Sequence, residues 1–135
     1  MVETTNGSCL CGRVTYQVTG AYGAFFLCHC SRCRKDTGSA HAANLMAPGA
    51  RLTWLSGGEN VRSFALPGTR HARSFCSTCG SALPDLQMDG KLLVVPAGSL
   101  DSAVPIKPAA HICLASRADW DDGFQDVPGL DGLPS

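Results

Sequence analysis

Seven of the eight cysteines in this 135-residue chain fall into three tight groups. The groups are Cys9-Leu10-Cys11, Cys28-His29-Cys30-Ser31-Arg32-Cys33 and Cys76-Ser77-Thr78-Cys79-Gly80. Thiolates bind soft metal ions, and clustered cysteines in a reducing compartment hold metal more often than they form disulfides. The grouping therefore predicts metal sites, with disulfides and inert buried thiols as the alternatives.

The first and third groups suit one closed metal site. In an extended segment, residues two apart point to the same side, so Cys9 and Cys11 can direct both sulfurs at one ion. A C-x-x-C turn that ends in glycine folds back so that its two sulfurs converge. Two such pairs complete a tetrahedral zinc site, with Zn–S bonds of about 2.3 Å and no position left for a substrate. We therefore predict a structural zinc site, with a role in stability, formed by Cys9, Cys11, Cys76 and Cys79.

The middle group differs because it supplies three sulfurs within six residues and has no fourth cysteine beside it. Three protein ligands and an open position are typical of a catalytic zinc, where a thiol, water or carbonyl oxygen can bind. Cys28, Cys30 and Cys33 are thus the predicted ligands of a second, open zinc site and the candidate catalytic residues. Two alternatives remain: a second structural zinc with a remote ligand such as His29 or Cys113, and free thiols.

Three basic residues lie within or directly after the middle group: Arg32, Arg34 and Lys35. Positive charge near a thiol lowers its pKa and attracts anions. We therefore predict that these three side chains help to bind an anionic thiol substrate.

The remaining histidines and the eighth cysteine carry weaker signals. In an extended segment His29 alternates away from the neighbouring cysteines, which argues against it as a ligand beside them. His41, His71 and His111 are isolated in sequence and are predicted to be packed or solvated. Cys113 lies in an apolar run and is predicted to be a buried small side chain.

Composition places these groups in one globular domain. The apolar fraction is 44%, and 11 basic residues balance 11 acidic ones. A formal charge of zero and the lack of a basic stripe argue against a nucleic-acid partner. No apolar run approaches the roughly 18 residues of a membrane span, and the N-terminal sequence lacks the pattern of a secretory signal. We therefore predict a cytoplasmic protein without a membrane partner.

The elements that must position the cysteines are mainly β-strands. Alternating or continuous apolar patterns predict strands at residues 13–19, 24–28, 51–55, 61–65 and 91–95. Residues 31–37 are the best helix candidate. Strands this short at this spacing predict antiparallel sheets. We therefore predict a single domain, with a core at about residues 6–121 and an irregular tail at 122–135.

The cysteine motifs closely resemble those of the glutathione-dependent formaldehyde-activating enzyme family, which includes centromere protein V. The segments that match are Gly7-Ser8-Cys9-Leu10-Cys11-Gly12, Cys28-His29-Cys30-Ser31-Arg32-Cys33-Arg34-Lys35 and Phe75-Cys76-Ser77-Thr78-Cys79-Gly80. Weaker matches follow at Gly98-Ser99-Leu100-Asp101, His111-Ile112 and Trp120. The resemblance spans nearly the whole chain, and seven cysteines in matching order make it specific.

The resemblance implies a β-tent fold, in which small antiparallel sheets meet around a structural zinc. It also implies a second zinc on the middle cysteine group, near which glutathione would bind as a co-substrate. The family's namesake reaction joins formaldehyde and glutathione to S-hydroxymethylglutathione, which is a carbon–sulfur lyase reaction run in reverse. We therefore predict a zinc-dependent carbon–sulfur lyase that acts on an adduct of an aldehyde with glutathione or another thiol. The alternative is a non-catalytic zinc-binding module that binds a small thiol or a protein partner.

Overall fold

A computed structural model describes residues 3–134 as a mainly β chain with a single short α-helix among them. The strands are β1 (Thr4–Ser8), β2 (Thr15–Thr19), β3 (Ala24–Cys28), β4 (Ala42–Pro48), β5 (Arg51–Ser56), β6 (Val61–Ala65), β7 (Ala72–Cys76), β8 (Ala82–Leu83), β9 (Asp85–Gln87), β10 (Leu92–Pro96) and β11 (Ala110–Ile112). The helix α1 is Ser31–Thr37, and 3₁₀ turns lie at Gly58–Asn60, Ala97–Ser99, Leu114–Ser116 and Phe124–Asp126.

The strands form three small sheets. Their orders are β1-β2-β5, β11-β3-β4-β10-β9 and β6-β7-β8. The prediction of a mainly β fold built from small antiparallel sheets is confirmed. One pair departs from it, because β11 runs parallel to β3, with Ile112 opposite Cys28. A parallel neighbour needs a long connection, and β11 indeed reaches β3 from the far end of the chain.

Several element bounds agree with the sequence-based expectations. The observed β3 and α1 have the predicted limits, and β6 does as well. The strand expected at 91–95 is shifted by one residue, and the strand expected at 13–19 begins only at Thr15. The sequence patterns did not predict β1, β4, β7 or the short strands β8, β9 and β11.

The main core lies between the sheets and is built by alternate residues of three strands. Tyr16 and Val18 on β2, and Leu45 on β4, are fully buried. Leu93 and Val95 on β10 complete the set, two residues apart as on one face of a strand. This packing holds the sheets together and so places the loops that carry the cysteines.

The C-terminal part of the described chain adds little regular structure. After Trp120 the described part contains one 3₁₀ turn and is otherwise irregular. The outermost residues of the predicted domain, 1, 2 and 135, lie outside the described residues. Among the helices of residues 3–134, none has the length and apolar character needed to cross a membrane.

Gly7 on β1 is a position where a side chain has no room. A Cβ atom there would overlap the end of the buried Tyr16 ring and lie 2.6 Å from the carbonyl oxygen of Ser99. The Tyr16 hydroxyl is itself held by a 2.6 Å hydrogen bond to Ser99 Oγ. We expect Gly7→Ala to destabilise the protein by about 1–3 kcal/mol, the usual cost of overpacking a core.

Urea unfolding of Gly7→Ala and Gly98→Ala measures this effect. Gly98 is the matched control, because a Cβ atom there would meet no atom within 4 Å. Equal stability of the two variants would show that the β1 strand can move away from Tyr16 without cost.

Candidate metal centres and the adjoining cavity

The first cluster consists of Cys9, Cys11, Cys76 and Cys79, and the fold brings their four sulfurs together. All four Sγ atoms lie within 4.8 Å of one another. Sγ of Cys11 lies 3.6 Å from Sγ of Cys9 and 3.9 Å from Sγ of Cys76. Zn–S bonds of about 2.3 Å in a tetrahedron place the sulfurs about 3.8 Å apart. The four residues therefore fit a zinc ion.

Two turns with glycine at a left-handed position aim these sulfurs. After β1, the N–H of Gly12 (φ +82°) donates to the Cys9 carbonyl oxygen at 3.1 Å. After β7, the N–H of Gly80 (φ +76°) donates to the Cys76 carbonyl oxygen at 2.8 Å. Glycine reaches these backbone angles without strain. The predicted fold-back of the C-x-x-C-Gly segment is therefore present in the structure.

The sulfurs of the first cluster differ in their affinity for protons. A backbone hydrogen bond from Cys11 lowers the pKa of the Cys79 thiol to about 6. For Cys11, a backbone hydrogen bond from Arg13 lowers the pKa, but desolvation and the neighbouring thiols outweigh it and raise the pKa to about 11. Sulfurs this close disfavour each other's charge unless a cation lies between them. The donor chemistry thus agrees with the geometric fit to zinc.

The second cluster consists of Cys28, Cys30 and Cys33, whose three Sγ atoms also lie within 4.8 Å of one another. Cys28 ends β3, Cys30 is the N-cap of α1, and Cys33 is in the first turn of that helix. The Cys30 sulfur accepts a 3.3 Å hydrogen bond from the N–H of Cys33. The strand–helix junction is therefore what makes the three sulfurs converge.

Within residues 3–134, no fourth histidine, cysteine or carboxylate belongs to the second cluster. His29 directs its two ring nitrogens at other partners, Asp121 and His111. Cys113 is exposed and outside the group. The described residues thus offer zinc three ligands. Neither His29 nor Cys113, the two remote ligands considered from the sequence, is one of them.

Burial and hydrogen bonding give the three thiols of the second cluster different pKa values. Burial raises the pKa of Cys28 and of Cys33. Burial also acts to raise the pKa of Cys30. The hydrogen bonds from the backbone N–H of Cys33 and from the neighbouring thiols outweigh burial, so the pKa of Cys30 is lowered. Cys30 therefore gives up its proton most readily of the three.

A cavity of about 180 Å³ lies beside the second cluster, between α1 and β7, and is called the Cys33 cavity here. Cys33 and Asp36 line it from α1, His71 lines it from the residue before β7, and Arg73 lines it from β7 itself. Asp85 on β9 lies at its other side. The cavity thus combines a cysteine of the second cluster with acidic, basic and imidazole groups.

The three basic residues singled out from the sequence do not line the Cys33 cavity. Arg32 and Lys35 are exposed on α1. Arg34 is half-buried, and its Nε donates to the Ser116 carbonyl oxygen at 3.2 Å. All three lie on α1, the helix that also carries Cys33.

Three of the histidines, each without a partner nearby in the sequence, are packed against one another in the structure. The rings of His29, His41 and His111 form one group, with centroids 5.0–6.2 Å apart. Nδ1 of the buried His29 lies 2.9 Å from Asp121, and burial lowers the pKa of His41. His71 pairs with a carboxylate of α1, as described below. These residues are far apart in the chain, so no local pattern connects them.

The prediction that Cys113 is buried is wrong. Cys113 is exposed, and its φ angle of +59° turns the chain away from β11 into a 3₁₀ turn. Its apolar neighbours Ile112 and Leu114 suggested a continuing strand, but β11 ends at Ile112.

Comparison with known proteins bears on these two clusters and on the fold that carries them. A crystal structure of a Rhodobacter sphaeroides protein is similar, with a TM-score of 0.61 and 22% identity. The match covers 78% of this chain and 98% of that protein. No curated protein matches the sequence. A family model, glutathione-dependent formaldehyde-activating enzyme, matches residues 4–116, a span that contains both cysteine clusters. Because that model covers most of the sequence, the chain belongs to the glutathione-dependent formaldehyde-activating enzyme family.

Proposed function

We propose that the protein is a zinc-dependent carbon–sulfur lyase that acts on an adduct of a thiol with an aldehyde. S-hydroxymethylglutathione, formed from glutathione and formaldehyde, is the adduct that the family name suggests. One observation carries the proposal: three sulfurs converge beside a cavity with charged and imidazole groups in its wall and lack a fourth described ligand. Such a three-ligand set leaves a position at which a substrate atom can bind.

The two clusters have different proposed roles. The first cluster would hold a structural zinc, because four sulfurs leave no free position. The second cluster would hold the catalytic zinc, with Cys28, Cys30 and Cys33 as its ligands. When bound there, zinc supplies a Lewis acid that favours the thiolate form of a substrate and polarises an aldehyde oxygen.

The protein's own residues would bind and orient the substrate. The Cys33 cavity, at about 180 Å³, is smaller than the roughly 300 Å³ of a typical ligand site. It suits the sulfur and hydroxymethyl end of the adduct, while the rest of a tripeptide would extend over the surface. We propose that Arg32, Arg34 and Lys35 attract this anionic remainder.

Exchange NMR of formaldehyde with glutathione tests the proposed function. We expect the zinc-loaded protein to increase the rate of exchange between free and thiol-bound formaldehyde above the spontaneous rate. Cys113→Ser is the control, because Cys113 is exposed and outside both clusters. An exchange rate that the protein leaves unchanged would rule out lyase activity on this pair.

The same samples distinguish the alternative of a non-catalytic binding module. A rise in the melting temperature with glutathione, in the absence of faster exchange, would support binding without turnover. Other thiols, assayed in the same way, would then show whether the site prefers glutathione.

A further inference from the structure

A histidine–carboxylate pair lies on the wall of the Cys33 cavity. Nε2 of His71 is 2.6 Å from Oδ2 of Asp36, and both side chains are about four-fifths buried. Asp36 follows Cys33 by three residues on α1, and side chains three apart are neighbours on a helix. His71, Asp36 and Cys33 all line the cavity. A group able to carry a proton therefore lies next to the place where the second cluster would hold a substrate.

The pairing defines which nitrogen of His71 carries the proton. An ionised carboxylate only accepts hydrogen bonds, so Nε2 must donate to Asp36. In a neutral imidazole, Nδ1 then has a free lone pair. Within residues 3–134, Nδ1 of His71 makes no hydrogen bond of its own. The ring is thus held by one nitrogen and has the other available to a ligand.

Charged groups of three elements surround this pair. Arg73 of β7 places its buried Nε 3.9 Å from Oδ1 of Asp36. Arg70, in the turn before β7, also lines the cavity. Asp85 of β9 accepts a 2.6 Å hydrogen bond from Ser74 Oγ, so its Oδ1 atom is engaged. With Cys33 of α1, these are the titratable or charged groups that face His71 across the cavity. The two arginines balance the negative charge of the two carboxylates.

We propose that His71 is the acid–base catalyst for the hydroxyl group of the thiol–aldehyde adduct, and that Asp36 is the positioning residue that orients its ring. This inference rests on the lyase function proposed above and assigns a residue to its proton transfer. Neither residue is a member of the cysteine clusters.

The reaction balances without a further reactant. In the cleavage direction, Nδ1 of His71 takes the hydroxyl proton of the adduct. The electrons of the O–H bond become the second carbon–oxygen bond of the aldehyde, and the carbon–sulfur bond breaks with its electron pair remaining on sulfur. In the reverse direction, the thiolate attacks the aldehyde carbon, and the oxygen receives the proton from Nδ1. A group that transfers a proton in both directions suits a readily reversible reaction.

Exchange NMR of the zinc-loaded full-length protein with formaldehyde and glutathione tests this assignment. We expect His71→Gln to lower the protein-dependent exchange rate by about 100-fold or more, the usual contribution of general acid–base catalysis. Zinc content and melting temperature should equal those of the wild type.

A second readout does not depend on activity. Nitrogen-15 NMR of the imidazole should show His71 of the free wild-type protein protonated at Nε2, with Nδ1 unprotonated. In Asp36→Asn we expect this preference to weaken, together with a smaller loss of rate. If wild-type His71 is protonated at Nδ1 instead, the role of Asp36 is overturned.

The outcomes separate this inference from the function on which it rests. No acceleration by the wild type overturns both. Acceleration by the wild type with an unchanged rate in His71→Gln overturns only the assignment of His71. A loss of rate accompanied by loss of zinc also overturns it, because the histidine would then support the metal site rather than the proton transfer.

Discussion

We expect Cys76→Ser to release zinc from the first cluster and to unfold the domain. Cys76 is fully buried, and its sulfur lies 3.9 Å from that of Cys11 on the other side of the cluster. The cluster joins the end of β7 to the loop after β1, and these two strands belong to different sheets of the described residues. Structural zinc sites have apparent binding free energies of about 10–16 kcal/mol. That is as large as the whole stability of a typical domain, about 5–15 kcal/mol.

Thermal unfolding followed by circular dichroism, with zinc counted by elemental analysis, measures this effect. We expect Cys76→Ser to lack a cooperative transition and to have lost the zinc of the first cluster. Cys113→Ser is the matched control for the same chemical change, and it should melt as the wild type does, since Cys113 is exposed and in neither cluster. A Cys76→Ser variant with wild-type melting behaviour would refute the structural role of the first cluster.

The second large effect is expected from substitution of Cys30, which should leave the fold intact and abolish most of the exchange activity. We expect Cys30→Ser to bind about one zinc per chain instead of two. Serine is among the preferred N-cap residues, so its hydroxyl can accept the hydrogen bond that the Cys30 sulfur receives from the Cys33 N–H. Helix α1 should therefore remain while a metal ligand is lost.

The rate of thiol–aldehyde exchange should fall with the second zinc. A bound Lewis acid stabilises developing charge by several kcal/mol, and each 1.4 kcal/mol is about tenfold in rate. We thus expect a loss of about 100-fold or more in Cys30→Ser, with the melting transition retained. Elemental analysis of wild-type protein purified without chelator provides the reference. A wild-type value near one zinc per chain would show that the second cluster is empty as purified and would favour the binding module.

The sequence predicted those parts of the fold in which local pattern and local structure coincide. Strand β3 is an apolar run of β-favouring residues, and α1 begins where Cys30 can cap it and ends at Gly38 (φ +64°). In contrast, β4 carries alanines, an asparagine and a methionine, residues that do not favour strands in isolation. It is a strand because it lies between β3 and β10, with Leu45 and Ala47 buried.

The candidate site likewise has parts that local sequence pattern predicts and parts that depend on tertiary packing. The cysteine groups could be predicted because their spacing of one or two residues already determines where the sulfurs point. The pairing of His71 with Asp36 could not be predicted, because it joins the turn before β7 to α1, two segments 35 residues apart in the chain. The histidine group has the same origin, since His29 and His111 meet only through the pairing of β3 with β11. The orientation of Cys113 depends on its positive φ angle, and a cysteine in the sequence does not indicate such an angle.

The two clusters also differ in how much of the chain must exist before they can form. The second cluster is complete once Cys33 has been synthesised, because its three cysteines lie within six residues. The first cluster needs Cys79 as well as Cys9, so it closes a loop that includes more than half of the chain. Closing a longer loop costs more chain entropy. A chain emerging from the ribosome therefore exposes the complete cysteine set of the second cluster before that of the first, in which Cys9 and Cys11 must wait for Cys76 and Cys79.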